Sequence, residues 1–135
     1  MEPNYNINNN DNRSILIVED DNSVNKLYQY FLKREFTGTI LSASEGQNAI
    51  EQCEVHQPEL IFMDINMPVR NGIDAVRELR KRGFSNPIVI ITSNNIHTEN
   101  FQHLEVDAIL QKPINKIDMI RQLNLIKNKN IHSTC

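Results

Sequence analysis

Four short, nearly continuous apolar runs constrain this chain most: Ile15 to Val18, Leu60 to Met63, Ile88 to Ile91 and Ala108 to Leu110. Each is bounded by polar or turn residues and is too short for a helix, the pattern of strands covered on both faces, as parallel sheets require. Thr37 to Ser42, TGTILS, is more polar and reads as an edge strand.

Between the runs the apolar period becomes helical. Val24, Leu27, Tyr28, Phe31 and Leu32 share one face, with Asn22 or Ser23 as N-cap and Asp21 as a first-turn acid. Ser44 and Gln47 form a capping-box pair ahead of Ala49, Ile50 and Cys53, and Pro58 stops that helix. A third helix starts near Gly72, turns Ile73, Val76 and Leu79 inward and closes at Gly83. Phe101 and Leu104 mark a fourth near Thr98 to Leu104, and Asn115 caps a last helix with Ile117, Ile120 and Leu123 inward. This βαβαβαβαβα order predicts an α/β fold, a doubly wound five-stranded parallel sheet of order 2-1-3-4-5. Ligands of such sheets bind at the carboxyl ends of the strands, at the switch point between strands 1 and 3.

The 135 residues allow one domain with a real core. Lys+Arg 14 against Asp+Glu 17, a net charge of -3, gives no electrostatic footprint for direct nucleic-acid binding. Cys53 and Cys135 form no CxxC pair, and no apolar run approaches the roughly 20 residues of a membrane span, so a cytoplasmic protein without membrane attachment is expected. Residues 1–13, MEPNYNINNNDNR, are expected to be a disordered Asn-rich lead-in. The domain is expected over 14–128, followed by a tail at 129–135 too short for an output domain.

The residues just past each strand carry the chemistry. Strand 1 runs into Glu19, Asp20 and Asp21, strand 3 into Asp64, strand 4 into Thr92 and Ser93, and strand 5 into Lys112 and Pro113. Any one has a plain reading: Asp64 as a cap, Thr92 as a turn residue, Lys112 as a solvated lysine. Their meeting at one sheet edge points elsewhere. Two carboxylates about 4 Å apart repel by about 4 kcal/mol at an effective dielectric near 20, so the cluster must hold protons or a cation. An all-oxygen donor set favours a hard ion, Mg²⁺ above Ca²⁺, with a phosphate as guest. A carboxylate can attack phosphorus while a metal and a lysine neutralise the phosphoryl oxygens.

The stretches ILIVEDD, FMDINMP, IVIITS and ILQKPI resemble the receiver domain of two-component response regulators over residues 14–128. The resemblance implies a flavodoxin-like (βα)5 fold in which Asp64 accepts a phosphoryl group from a histidine kinase or a histidine phosphotransfer protein. It implies that Glu19, Asp20, Asp64 and the backbone carbonyl of Asn66 hold Mg²⁺ or Mn²⁺, and that Thr92 and Lys112 contact the phosphoryl group. It also implies a cis Lys112–Pro113 bond. Asn66 and Asn94 fall where the family tunes hydrolysis of the aspartyl phosphate. One departure stands out: Ile109, three residues before the lysine, replaces the aromatic residue often used as a rotating switch.

The function expected is therefore that of a phosphoacceptor that assists its own phosphorylation and dephosphorylation, signalling through changed binding to a downstream protein the sequence does not name. Two alternatives remain open. One is a non-phosphorylated pseudo-receiver that keeps only the fold. The other is a phosphatase with an aspartyl-phosphate intermediate, which needs a second acid where this chain has Asn66. The phosphate loop of a flavin site is excluded by the acidic VEDDNS segment.

Overall fold

Parallel strands form where the apolar runs stand: β1 (Ser14–Val18), β2 (Thr39–Ala43), β3 (Leu60–Asp64), β4 (Ile88–Thr92) and β5 (Ala108–Gln111), in the order β2-β1-β3-β4-β5. The computed structural model describes residues 11–66, 72–93 and 104–133. β1, β3 and β4 are buried throughout, whereas β2 and β5 lie at the edges and are partly exposed. That difference is why β2 is more polar than the central strands, whereas Ala108 to Leu110, read as covered on both faces, is instead a partly exposed edge.

The described helices are α1 (Asn22–Lys33), α2 (Gly46–His56), α3 (Gly72–Lys81) and α4 (Lys116–Ser133). Alternate strand residues face two cores. Leu16, Val18, Ile61, Met63, Ile88 and Ile90 pack under α2 and α3, against Ala49, Ile50, Ala75, Val76 and Leu79. Ile15, Ile17, Leu60, Phe62, Val89 and Ile91 pack under α1 and α4, against Tyr28, Leu32, Met119, Leu123 and Ile126. The fourth helix expected near Thr98 to Leu104 falls outside the described residues except for Leu104, which is buried.

Several local expectations change. Asp21, not Asn22 or Ser23, caps α1, its carboxylate accepting from the Ser23 and Val24 amides. Glu45, not Ser44, caps α2 by accepting from the Gln47 amide. A carboxylate at N-cap engages the same unpaired amides and also meets the positive end of the helix dipole. Asn115 does cap α4, accepting from the Asp118 amide at 2.9 Å. The inner face of α4 carries Met119, Leu123 and Ile126 in place of Ile117, which is 66% exposed. Gly83 closes α3 with φ 96, a conformation that favours glycine.

The edges of the domain also move. Residues 11–13, read from composition as lead-in, are pinned to the fold: Thr39 donates its amide to the Arg13 carbonyl, and Thr37 Oγ1 donates to Asp11 at 2.6 Å. Arg13 pairs with Asp11 and lies over the Phe36 ring. At the other end α4 continues past residue 128 to Ser133. No helix among the described residues is long and apolar enough to cross a membrane.

Candidate functional site

The carboxyl ends of β1, β3 and β4 deliver the site, because each strand's apolar run stops where the sheet opens to solvent. Asp64 is the last residue of β3 and is fully buried, while Glu19, one residue past β1, is 3% exposed and Thr92, the last of β4, is 2% exposed. Asp20 is exposed at the rim. One carboxylate oxygen from each of Glu19, Asp20 and Asp64 lies within 4.8 Å of the others.

Lys112 closes this cluster from β5. Its Nζ lies 3.2 Å from Asp64 Oδ2 and 3.3 Å from Glu19 Oε1. The strand that carries it is fixed beside β4 by the Lys112 amide, which donates to the Thr92 carbonyl at 2.7 Å. The Lys112–Pro113 bond is cis, as the resemblance implies. On the other side of Asp64, the Asn66 amide donates to Oδ1 at 2.8 Å. Each oxygen of the Asp64 carboxylate therefore has its own partner, which fixes the rotation of the group.

Two further contacts shape this edge. Asn66 Oδ1 accepts from both the amide and the hydroxyl of Ser93, at 2.9 and 3.0 Å, tying the β3 end to the β4 end. Behind Asp64, a Cβ on Gly72 would stand 2.5 Å from the Asp64 carbonyl oxygen and 2.7 Å from Ile65 Cα. The first residue of α3 can approach the strand end this closely only without a side chain.

The electrostatics follow from the crowding. Burial pushes the Glu19 carboxyl up to about 7, and the Asp64 charge adds to the rise against the opposing Asp21 amide and Lys112. For Lys112 burial works downward, but Asp64 and Glu19 outweigh it and the net shift is upward. Burial also pushes the Tyr28 hydroxyl, on the inner face of α1, up to about 12.

The donor set suits a hard divalent ion. Glu19 Oε1 is buried and makes no hydrogen bond, only its ion pair with Lys112. Two of the three clustered carboxylates, Glu19 and Asp64, pair with the Lys112 ammonium, and all three side chains offer oxygen.

Of the residues singled out in the sequence, Glu19, Asp20, Asp64, Asn66, Thr92 and Lys112 reach this edge. Asn94 lies outside the described residues. Asn25 was missed. It is 2% exposed on α1, one turn before Tyr28, and donates to the carbonyl of Glu19 at 3.2 Å. A polar residue on the inward face of an amphipathic helix was the available signal.

Ile109, in the place of the aromatic switch residue, pairs with Ile90 across the β4–β5 ladder and packs partly buried against the core under α2 and α3.

Known proteins resemble this chain. The transcriptional regulatory protein PdtaR of Mycobacterium tuberculosis is 34% identical over 115 residues, 84% of this chain and 56% of that protein. The autoinducer 1 sensor kinase/phosphatase LuxN of Vibrio harveyi is 32% identical over 135 residues, 99% of this chain but 16% of LuxN. The chain therefore spans about half of one curated relative and a small part of the other. The crystal structure of the signal receiver domain of a Luxo repressor protein from Vibrio parahaemolyticus superposes with a TM-score of 0.82 at 25% identity, covering 90% of this chain and 95% of that one. The sequence profile described as "Response regulator receiver domain" matches residues 15–124, from β1 into α4 and across every residue of the acidic, hydroxyl and lysine set. By that match the chain belongs to the response regulator receiver domain family.

Proposed function

We propose that this domain is the phosphoacceptor of a two-component system or phosphorelay, taking a phosphoryl group on Asp64 in a Mg²⁺-dependent reaction. The observation that carries the reading is the buried Asp64 carboxylate held between Lys112 Nζ at 3.2 Å and the Asn66 amide at 2.8 Å, beside Glu19 and Asp20. In the transfer, an Asp64 oxygen bonds to phosphorus as the phosphorus–nitrogen bond to the donor imidazole breaks, and the electron pair returns to that nitrogen. Lys112 supplies positive charge to the phosphoryl oxygens, and the Thr92 hydroxyl would donate to one of them. Glu19, Asp20, Asp64 and the Asn66 carbonyl would hold the divalent ion, which when bound neutralises the phosphoryl oxygens during transfer.

The donor is a histidine kinase or a histidine phosphotransfer protein in the cytoplasm. A relative that is itself a sensor kinase/phosphatase and matches 99% of this chain supports work inside a relay. The phosphorylated state signals by binding a protein partner differently. To move a conformational equilibrium from 1:99 to 99:1, contacts made to the phosphoryl group must favour one state by about 5.5 kcal/mol. The domain is no substrate-turnover enzyme on this reading. A phosphatase needs an acid at position 66, and the Asn66 side chain instead accepts two hydrogen bonds from Ser93.

Intact-mass measurement after incubation with a small acyl-phosphate donor tests the proposal, with and without Mg²⁺, on wild type and Asp64→Asn. One metal-dependent phosphoryl adduct, absent in the variant, is expected. No adduct under conditions that modify a known receiver would move the reading to a non-phosphorylated pseudo-receiver.

A further inference from the structure

The acidic pair sits on a loop whose backbone is held from an unexpected side. Asn25 Nδ2 lies 3.4 Å from the Ile17 carbonyl, 3.2 Å from that of Glu19 and 3.4 Å from that of Ala43. One buried amide thus gathers the carboxyl ends of β1 and β2, which also meet through the Glu19 amide and the Ala43 carbonyl at 3.0 Å. The Glu19 side chain is set in turn by the Asp21 amide, which donates to Oε2 at 3.1 Å and leaves Oε1 facing Lys112.

An Asn amide has one donor end and one acceptor end, so three carbonyls can be served in only one of its two orientations. The carbonyls select that orientation, and Gln29, one turn further along α1, completes it, its Nε2 donating to Asn25 Oδ1 at 2.7 Å. Gln29 is half-buried, with its other side toward a cavity of about 620 Å³ that it lines with Lys26, Tyr30 and Lys33. A chain of amides therefore runs from the outer surface of α1 to the backbone of the acidic pair.

We infer that Asn25 is a positioning residue for Glu19 and Asp20, and that Gln29, by pairing its outward oxygen, holds the side chain in the place where it does this. The inference rests on the phosphoacceptor reading for the purpose of the acidic pair, though not for its geometry. Partners behind metal-binding groups set affinity by orienting those groups. Gln29 is the better place to test this than Asn25, because a change at a half-buried surface position leaves the core intact.

Two substitutions separate positioning from simple charge. In Gln29→Glu the donor to Asn25 Oδ1 is lost and a carboxylate faces it instead, so the repelled Asn25 side chain shifts and loosens its hold on the three carbonyls. In Gln29→Lys a donor is kept. A bare charge effect runs the other way, since added negative charge favours a cation and added positive charge opposes it. Titration calorimetry with MgCl₂ on the full chain is expected to show Gln29→Glu weakened on the order of tenfold, with Gln29→Lys within about twofold of wild type. Tighter or equal binding by Gln29→Glu, with weaker binding by Gln29→Lys, would overturn the inference.

A second readout needs no metal. The Asp21 amide resonance reports the Glu19 carboxylate directly, and it is expected to shift in metal-free Gln29→Glu while staying near wild type in Gln29→Lys. An unchanged Asp21 resonance in both variants contradicts positioning. Should the wild type take up no Mg²⁺, the metal-dependent reading falls by itself, and the Asp21 resonance alone decides the role of Asn25.

Discussion

Glu19 is lodged where a carboxylate is least comfortable, 3% exposed and beside Asp64, and burial carries its carboxyl up to about 7. An acid raised in the folded state holds its proton there after the unfolded chain has released it, so between about 4.5 and about 7 the native protein binds more protons. Metal-free stability from this group is thus greatest at low pH and is lost as pH rises through that window. Glu19→Gln removes the dependence. Thermal melts without metal are expected to show the variant gaining on wild type as pH climbs from 4.5 to 7, by roughly 1–3 kcal/mol at the top, and no difference below 4.5. A constant offset at all pH values would mean that Glu19 does not titrate in this window. Adding Mg²⁺ at pH 7 should narrow or reverse the variant's gain, because a metal draws on the ionised carboxylate.

At the scale of elements, helix caps decide how the site is framed. Asp21 holds the first turn of α1 through the Ser23 and Val24 amides, and its own amide holds Glu19. Asp21→Ala keeps that backbone amide and loses only the cap, so urea unfolding should show a loss of about 1 kcal/mol while Mg²⁺ affinity stays close to wild type. A collapse of Mg²⁺ affinity would show instead that the cap supports the acidic loop. The central strands were legible because burial on both faces leaves no alternation to misread: β1, β3 and β4 lie where their apolar runs stand. Caps were less legible, since Asp21 beside Asn22 and Glu45 beside Ser44 offer capping oxygens at adjacent positions and backbone direction chooses between them. The inward face of α4 was misjudged for a related reason. Ile117 and Ile120 compete with Met119 and Ile126 for the same period, and only docking against β5 and α1 selects the buried set.

For the whole molecule, topology gathers chemistry from distant parts of the chain. Glu19, Asp64, Thr92 and Lys112 stand at or just past the ends of four different strands, and the order β2-β1-β3-β4-β5 sends all four strands' carboxyl ends to one edge. The site was therefore readable as soon as the strands were, whereas for Asn25 only its polar place on an inward helix face was readable, because the carbonyls it donates to leave no mark in a sequence. Ile109 packs partly buried against the core under α2 and α3, so a rotating aromatic is not a device this position carries. The central claim is that Asp64 alone takes the phosphoryl group, and locating the modification tests it most directly. The chain would be treated with a small acyl-phosphate donor in Mg²⁺, reduced with borohydride so that an aspartyl phosphate becomes homoserine, and mapped by peptide mass spectrometry. The account predicts conversion at position 64 only. Conversion at Asp20 or another carboxylate, or none while a known receiver treated in parallel is converted, would contradict it.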